Sequence, residues 1–143
     1  MSVSPPLELN LLSDPANLAT VRAAVRQVSV EAGFADADAE QIALAVDEAL
    51  ANVIKHGYGM QTNRPIRLRA EVVSEERRTG LRFVVRDYGR VVDPATICGR
   101  DLEEVRPGGL GVHIIRSVMD EVCYEPAVGG GTCLSMLKWK RHD

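Results

Sequence analysis

Aromatic side chains are scarce in this chain, 4% of 143 residues. A core built on stacked rings is therefore excluded, and Ala, Val, Leu and Ile must supply it. Cysteine is equally sparse. Cys98, Cys123 and Cys133 are odd in number and scattered, with no two at metal-ligand spacing. That pattern argues against a zinc site and against a disulfide framework, so reduced thiols are expected. No apolar run approaches the roughly 20 residues that a membrane-spanning helix needs. The opening MSVSPPLELNLL has no charged segment leading into a long apolar stretch. No signal peptide is expected, and a cytoplasmic location is. A basic excess is missing too: net charge is −3 and the pI about 5.6. Nucleic acid is accordingly not an expected partner, since phosphate backbones bind to basic surfaces. Arg64, Arg67 and Arg69 form a local cluster that reads as a solvated strand face. Repeats and low-complexity tracts are absent.

What remains is the composition of an ordinary globular protein, 45% apolar and 26% charged, of a size suited to one core. A single domain over residues 1–143 is expected. LELNLL at 7–12 reads as a strand. Asp14-Pro15 then opens a helix: the carboxylate can cap free N–H groups, and proline at the first helical position loses no bond. Leu18, Val21, Val25 and Val28 recur at helical spacing, and Gly33 is a natural stop. A second helix is expected from about Asp38 to His56, with Ile42, Ala45, Val46, Ala49, Leu50 and Val53 as its apolar stripe. Strands are expected at 66–73 and 81–87, an irregular segment at 88–109, a helix from Leu110 to about Met119, and strands at 121–126 and 132–139. Clustered strands with segregated helices predict an α+β fold, a two-layer sandwich of a mainly antiparallel mixed sheet with helices on one face.

Four places in this order could carry chemistry. Glu48 and Asn52 are one helical turn apart and share a face. Asn52 could give an oxygen to Mg²⁺, a cation that prefers oxygen ligands, and Glu48 could accept a proton beside the same site. The same spacing also suits a helix whose polar side merely meets solvent. Asp87 ends an apolar strand two residues before Gly89. A carboxylate there could accept from the amino group of adenine, or could simply bond its own turn. Pro107-Gly108-Gly109-Leu110-Gly111-Val112 opens a helix. Its main-chain N–H groups could approach phosphate, or the glycines could be an ordinary helix start. Thr132 follows Gly131 at the head of the last strand, where it could support a water or a base edge, or serve only as a β-branched strand residue.

Taken in order, Glu-x-x-x-Asn on a helix, Asp-x-Gly after a strand, Gly-x-Gly at a helix start and Gly-Thr before a final strand resemble the N, G1, G2 and last boxes of the GHKL ATPase superfamily, which includes gyrase and histidine kinases. The resemblance runs from the first strand to Trp139. Its most specific stretch, Asp47-Glu48-Ala49-Leu50-Ala51-Asn52-Val53-Ile54-Lys55-His56-Gly57-Tyr58, is similar to the N box of anti-sigma factor serine/threonine kinases, including the closing His-Gly-Tyr. The stretch from Leu110 to Val122 resembles their G2 helix.

The resemblance implies a Bergerat-type ATP-binding fold with ATP and Mg²⁺ as cofactors. It implies Glu48 as general base for a protein serine and Asn52 as metal ligand. It implies Lys55, His56, Asp87, Gly89, Gly108, Gly109, Leu110, Gly111, Val112 and Thr132, with Asn52, as ATP-binding residues. Residues 93–108 would be a lid. The implied partners are a STAS-type anti-sigma factor antagonist as substrate and a sigma factor as sequestered protein, with a homodimer as the common assembly. A non-enzymatic, nucleotide-switched interaction module is the other reading. Two positions depart from the family pattern: Val91 replaces the second glycine of the G1 box, and Pro107 stands where an arginine is common, with Arg106 one residue earlier.

Overall fold

The structure is a computed structural model that describes residues 6–89, 97–98 and 110–140. Period-2 alternation is realised most plainly in the pair β2 (Pro65–Glu75) and β3 (Arg78–Asp87), joined by a two-residue turn at Glu76 and Arg77. Their register sets Leu68 against Val85 and Ala70 against Phe83. Ile66, Leu68, Ala70, Leu81, Phe83 and Val85 all face inward and are buried. Their alternates Arg67, Arg69, Arg82 and Arg86 take the opposite face, as the pleat requires. On that face Glu71 lies across from Arg82 and pairs with Arg69 at 3.7 Å. A mixed-sign, solvated surface of this kind adds little stability.

The other strands are β1 (Leu7–Leu12), β4 (Ile97–Cys98), β5 (Glu121–Pro126) and β6 (Thr132–Trp139). The sheet runs β1-β2-β3-β6-β5-β4, and every pairing among the described strands is antiparallel. Three helices, α1 (Leu18–Glu31), α2 (Asp36–Asn52) and α3 (Leu110–Val118), pack among themselves and cover the inner face. The expected two-layer α+β sandwich is therefore the observed one.

Local chemistry explains the helix limits. The Asp14 carboxylate accepts from the Ala16 N–H at 2.9 Å with Pro15 next to it, but this first turn, Pro15–Asn17, is a 3-10 turn that leads into α1. Val21, Val25 and Val28 are buried, and Gly33, at φ +102°, turns the chain out. α2 begins at Asp36, two residues before the expected start. Asp36 and Asp38 both sit in its first turn, where carboxylates favour the positive end of the helix dipole. Arg22 pairs with Asp47 at 3.3 Å and Arg26 pairs with Glu40, which tie α1 to α2 across solvent.

The core is mainly aliphatic, with Phe83 fully buried at its centre. Burying such a side chain contributes about 1.5–3 kcal/mol relative to leaving it in water. No helix among the described residues is long and apolar enough to cross a membrane.

One expectation is corrected. The cysteines are not all reduced: Cys133 is a free thiol, but Cys123 is disulfide-bonded. The pairing of β4 with β5 sets Cys98 directly opposite Cys123. Sequence spacing could not reveal this, because the contact is made by strand pairing.

Candidate functional site

The last turn of α2 carries Glu48 and Asn52, both half-buried. Beyond Asn52 the helix widens into a π turn, Val53–Gly57, in which the Tyr58 N–H reaches back to the Val53 carbonyl at 2.9 Å. Such turns are uncommon and recur at functional sites. In a continued α-helix Lys55 and His56 would share the face of Asn52. The wider turn leaves both exposed and brings Gly57 inward, so that a Cβ on Gly57 would lie 3.8 Å from Asp87 Oδ1.

Asp87 ends β3 and is only 5% exposed. Its Oδ1 accepts from the Gly89 N–H at 3.0 Å, and the Thr132 N–H also donates to the carboxylate. Burial raises the Asp87 pKa; the two N–H groups and the nearby Arg86 charge pull the other way but do not cancel it. Arg86 itself is turned to the opposite side. It donates to the carbonyls of Gly130 (2.8 Å) and Val128 (3.1 Å), and its guanidinium stacks 4.1 Å from the Tyr88 ring centre. Asp87 is thus a carboxylate in an apolar pocket without a direct ionic partner among the described residues.

The pocket it faces is lined by Ala49, Asn52, Val53, Gly57, Asp87, Tyr124, Thr132 and Leu134. Among the described residues, Asn52 Nδ2 and Thr132 Oγ1 are buried here with no hydrogen-bond partner. Leaving such a group unmet costs about 1–3 kcal/mol, which a bound polar ligand recovers. Free volume is about 20 Å³, room for a water and not for a purine. Donors and acceptors suit an adenine edge: a carboxylate for the amino group and a hydroxyl beside it. No cluster of three His, Cys, Asp or Glu that could hold a metal alone occurs among the described residues. Mg²⁺ in phosphate chemistry typically takes one or two protein oxygens together with substrate phosphates, and Asn52 can supply one.

Of the residues singled out by sequence, the structure brings Asn52, Asp87 and Thr132 into one pocket. Glu48 stands one turn before Asn52 on α2, outside the lining. Gly89 and His56 border a neighbouring cleft with Tyr58 and Arg64, and Lys55 is on neither wall. Leu110, Gly111 and Val112 form the first turn of α3. Gly108, Gly109, Val91, Arg106 and Pro107 lie outside the described residues, as does the expected lid except for Ile97–Cys98, which is β4. Gly57, Tyr124 and Leu134 were not anticipated. Strand alternation could have found the last two, since Tyr124 and Leu134 are paired in register and both face inward.

Comparison with known proteins agrees with this geometry. A family model described as the histidine kinase-like ATPase domain matches residues 11–138. The chain is 25% identical over 142 residues to the serine-protein kinase RsbW of Bacillus velezensis, covering 93% of this chain and 84% of that protein. It is 28% identical over 148 residues to the serine-protein kinase RsbW of Staphylococcus aureus, covering 96% and 88% respectively. With its fold, its pocket and the match over most of its length, the chain belongs to the histidine kinase-like ATPase domain family.

Proposed function

We propose that this protein is an ATP-dependent protein serine kinase and anti-sigma factor, which phosphorylates an anti-sigma factor antagonist of STAS type and holds a sigma factor. The observation that carries the nucleotide part is the buried Asp87 carboxylate facing a pocket with two polar atoms unmet, Asn52 Nδ2 and Thr132 Oγ1. Asp87 accepts from the adenine amino group; guanine, with a carbonyl at that place, meets a carboxylate that repels it. Thr132 supports the same edge. Ala49, Val53 and Leu134 pack on the ring faces.

Asn52 is the protein oxygen ligand for Mg²⁺, which when bound neutralises phosphate charge. Glu48, one turn earlier, takes the proton of the serine hydroxyl as its oxygen bonds to the γ-phosphorus and the bond to the β,γ-bridging oxygen breaks. Catalysis of this kind is mostly positioning and charge neutralisation. Leu110, Gly111 and Val112, with Gly108 and Gly109 before them, supply main-chain N–H groups to the phosphates. The partner assignments rest on the likeness to the RsbW kinases, and a cytoplasmic homodimer goes with them.

The test is transfer of label from ATP to a purified antagonist protein of the same organism. Transfer that ceases in Glu48→Gln supports the kinase reading. Tight ATP binding without transfer to any antagonist leaves a nucleotide-switched binding module instead.

A further inference from the structure

Tyr58 closes the His-Gly-Tyr segment, and nothing in the proposed chemistry uses it. It is only 4% exposed. Its hydroxyl donates to the Pro65 carbonyl at 2.5 Å and accepts from the Tyr88 N–H at 2.7 Å. One phenol proton and one lone pair satisfy both bonds. Burial pushes the phenol pKa up, so the proton stays on it as the donor to Pro65.

The position of these two partners is the telling point. β2 and β3 pair as far as Ile66 opposite Asp87. In that register the next positions are Pro65 and Tyr88. Where the ladder would continue, the Tyr58 oxygen is spliced in, so that the chain N–H, phenol oxygen, carbonyl replaces a direct bond between strands. At the residue after Asp87 the strands are joined through this phenol. Two further contacts lock the same spot. The Arg64 guanidinium lies 4.9 Å from the centre of the Tyr58 ring. Gly89 packs so closely that a Cβ on it would stand 2.8 Å from Tyr58 Cδ1. Gly89 is also the residue whose N–H holds Asp87 Oδ1.

We infer that Tyr58 is a positioning residue for base recognition: its hydroxyl, wedged between the ends of β2 and β3, fixes the exit of the chain after Asp87 and so the aim of the Asp87 carboxylate. The inference rests on the adenine reading of the pocket. It also couples the two halves of the site, because Tyr58 hangs from the π turn that follows Asn52 while its hydroxyl holds the strand that ends in Asp87.

Tyr58→Phe keeps the ring and removes only the hydroxyl. Affinities for Mg·ATP and Mg·GTP are measured by calorimetry in wild type and variant, with the thermal midpoint alongside. The expected result is a fall of about tenfold in ATP affinity, the size of one or two lost hydrogen bonds, with GTP affinity unchanged, so that discrimination between the bases shrinks by that factor. If both nucleotides weaken equally, or the preference for ATP is untouched, Tyr58 is merely structural and the inference fails while the adenine reading stands. If wild type itself does not prefer ATP, the adenine reading fails and takes the inference with it. Should the variant not fold, hydrogen exchange of the Tyr88 amide in wild type decides. Protection that strengthens with ATP supports the clasp, and exchange at open-chain rates overturns it.

Discussion

Gly131 lies against the main chain of Asp87 so closely that a Cβ on it would stand 2.6 Å from the Tyr88 Cα and nearer still to the Asp87 carbonyl oxygen. Its φ of +80° is one that side chains rarely adopt. This glycine lets β6 begin flush with the end of β3, which brings the Thr132 N–H to the Asp87 carboxylate. Gly131→Ala is expected to destabilise the fold by about 2–4 kcal/mol, from overpacking and backbone strain together. Gly129, at φ +89° with nothing within 4 Å of where a Cβ would stand, separates the two contributions: Gly129→Ala should cost only about 1–2 kcal/mol. Urea unfolding of both variants measures the difference.

Asp87 should trade stability for binding. Its pKa is raised on folding by burial. The folded state therefore holds the proton more tightly than the unfolded chain. The stability this group contributes is present at acid pH and is lost as pH climbs from the unfolded value of about 3.9 through the folded one. Above the folded pKa the ionised carboxylate is a net cost to the nucleotide-free protein. Asp87→Asn is expected to raise the urea midpoint at pH 7, to flatten the pH dependence above pH 4, and to weaken ATP binding by about 10- to 100-fold, the size of a bond to a charged group. Unchanged ATP affinity in this variant contradicts the adenine assignment.

Asn52 offers a different signature. Its amide nitrogen is buried without a partner among the described residues, so its removal takes little from the free protein. Asn52→Ala should leave thermal stability nearly unchanged. ATP affinity in Mg²⁺ should fall at least about tenfold, and affinity with Mg²⁺ chelated should not move. Equal losses with and without the ion argue against a metal ligand.

Glu48 stands outside the pocket lining, so its substitution should not touch nucleotide binding. Glu48→Gln is expected to keep ATP affinity within about twofold and to slow phosphate transfer by about 100-fold or more, as loss of a general base does. Single-turnover transfer to the antagonist protein, with binding measured separately, checks both halves.

Apart from β4, which lies in the segment read as irregular, the sheet and the helices were legible because their signals are local. Alternation marked Ile66, Leu68 and Ala70 against Arg67 and Arg69, and Asp14-Pro15 marked the first helix start. Asn52 could be chosen because it lies one helical turn from Glu48, and Asp87 and Thr132 because they end and begin strands. The π turn had no such signature. Val53, Ile54 and Tyr58 continue the apolar spacing of α2, and that spacing carries no mark of the wider turn that leaves Lys55 and His56 exposed. The disulfide of Cys123 was hidden for a like reason: it depends on which strands become neighbours.

The central claim is that the pocket around Asp87 takes an adenine nucleotide, and titration calorimetry of the wild-type protein with Mg·ATP and, in parallel, Mg·GTP tests it most directly. The account predicts saturable heat with ATP and binding of GTP at least about tenfold weaker, the worth of one well-placed hydrogen bond exchanged for a repulsion. No heat with Mg·ATP, or equal affinity for the two nucleotides, contradicts it.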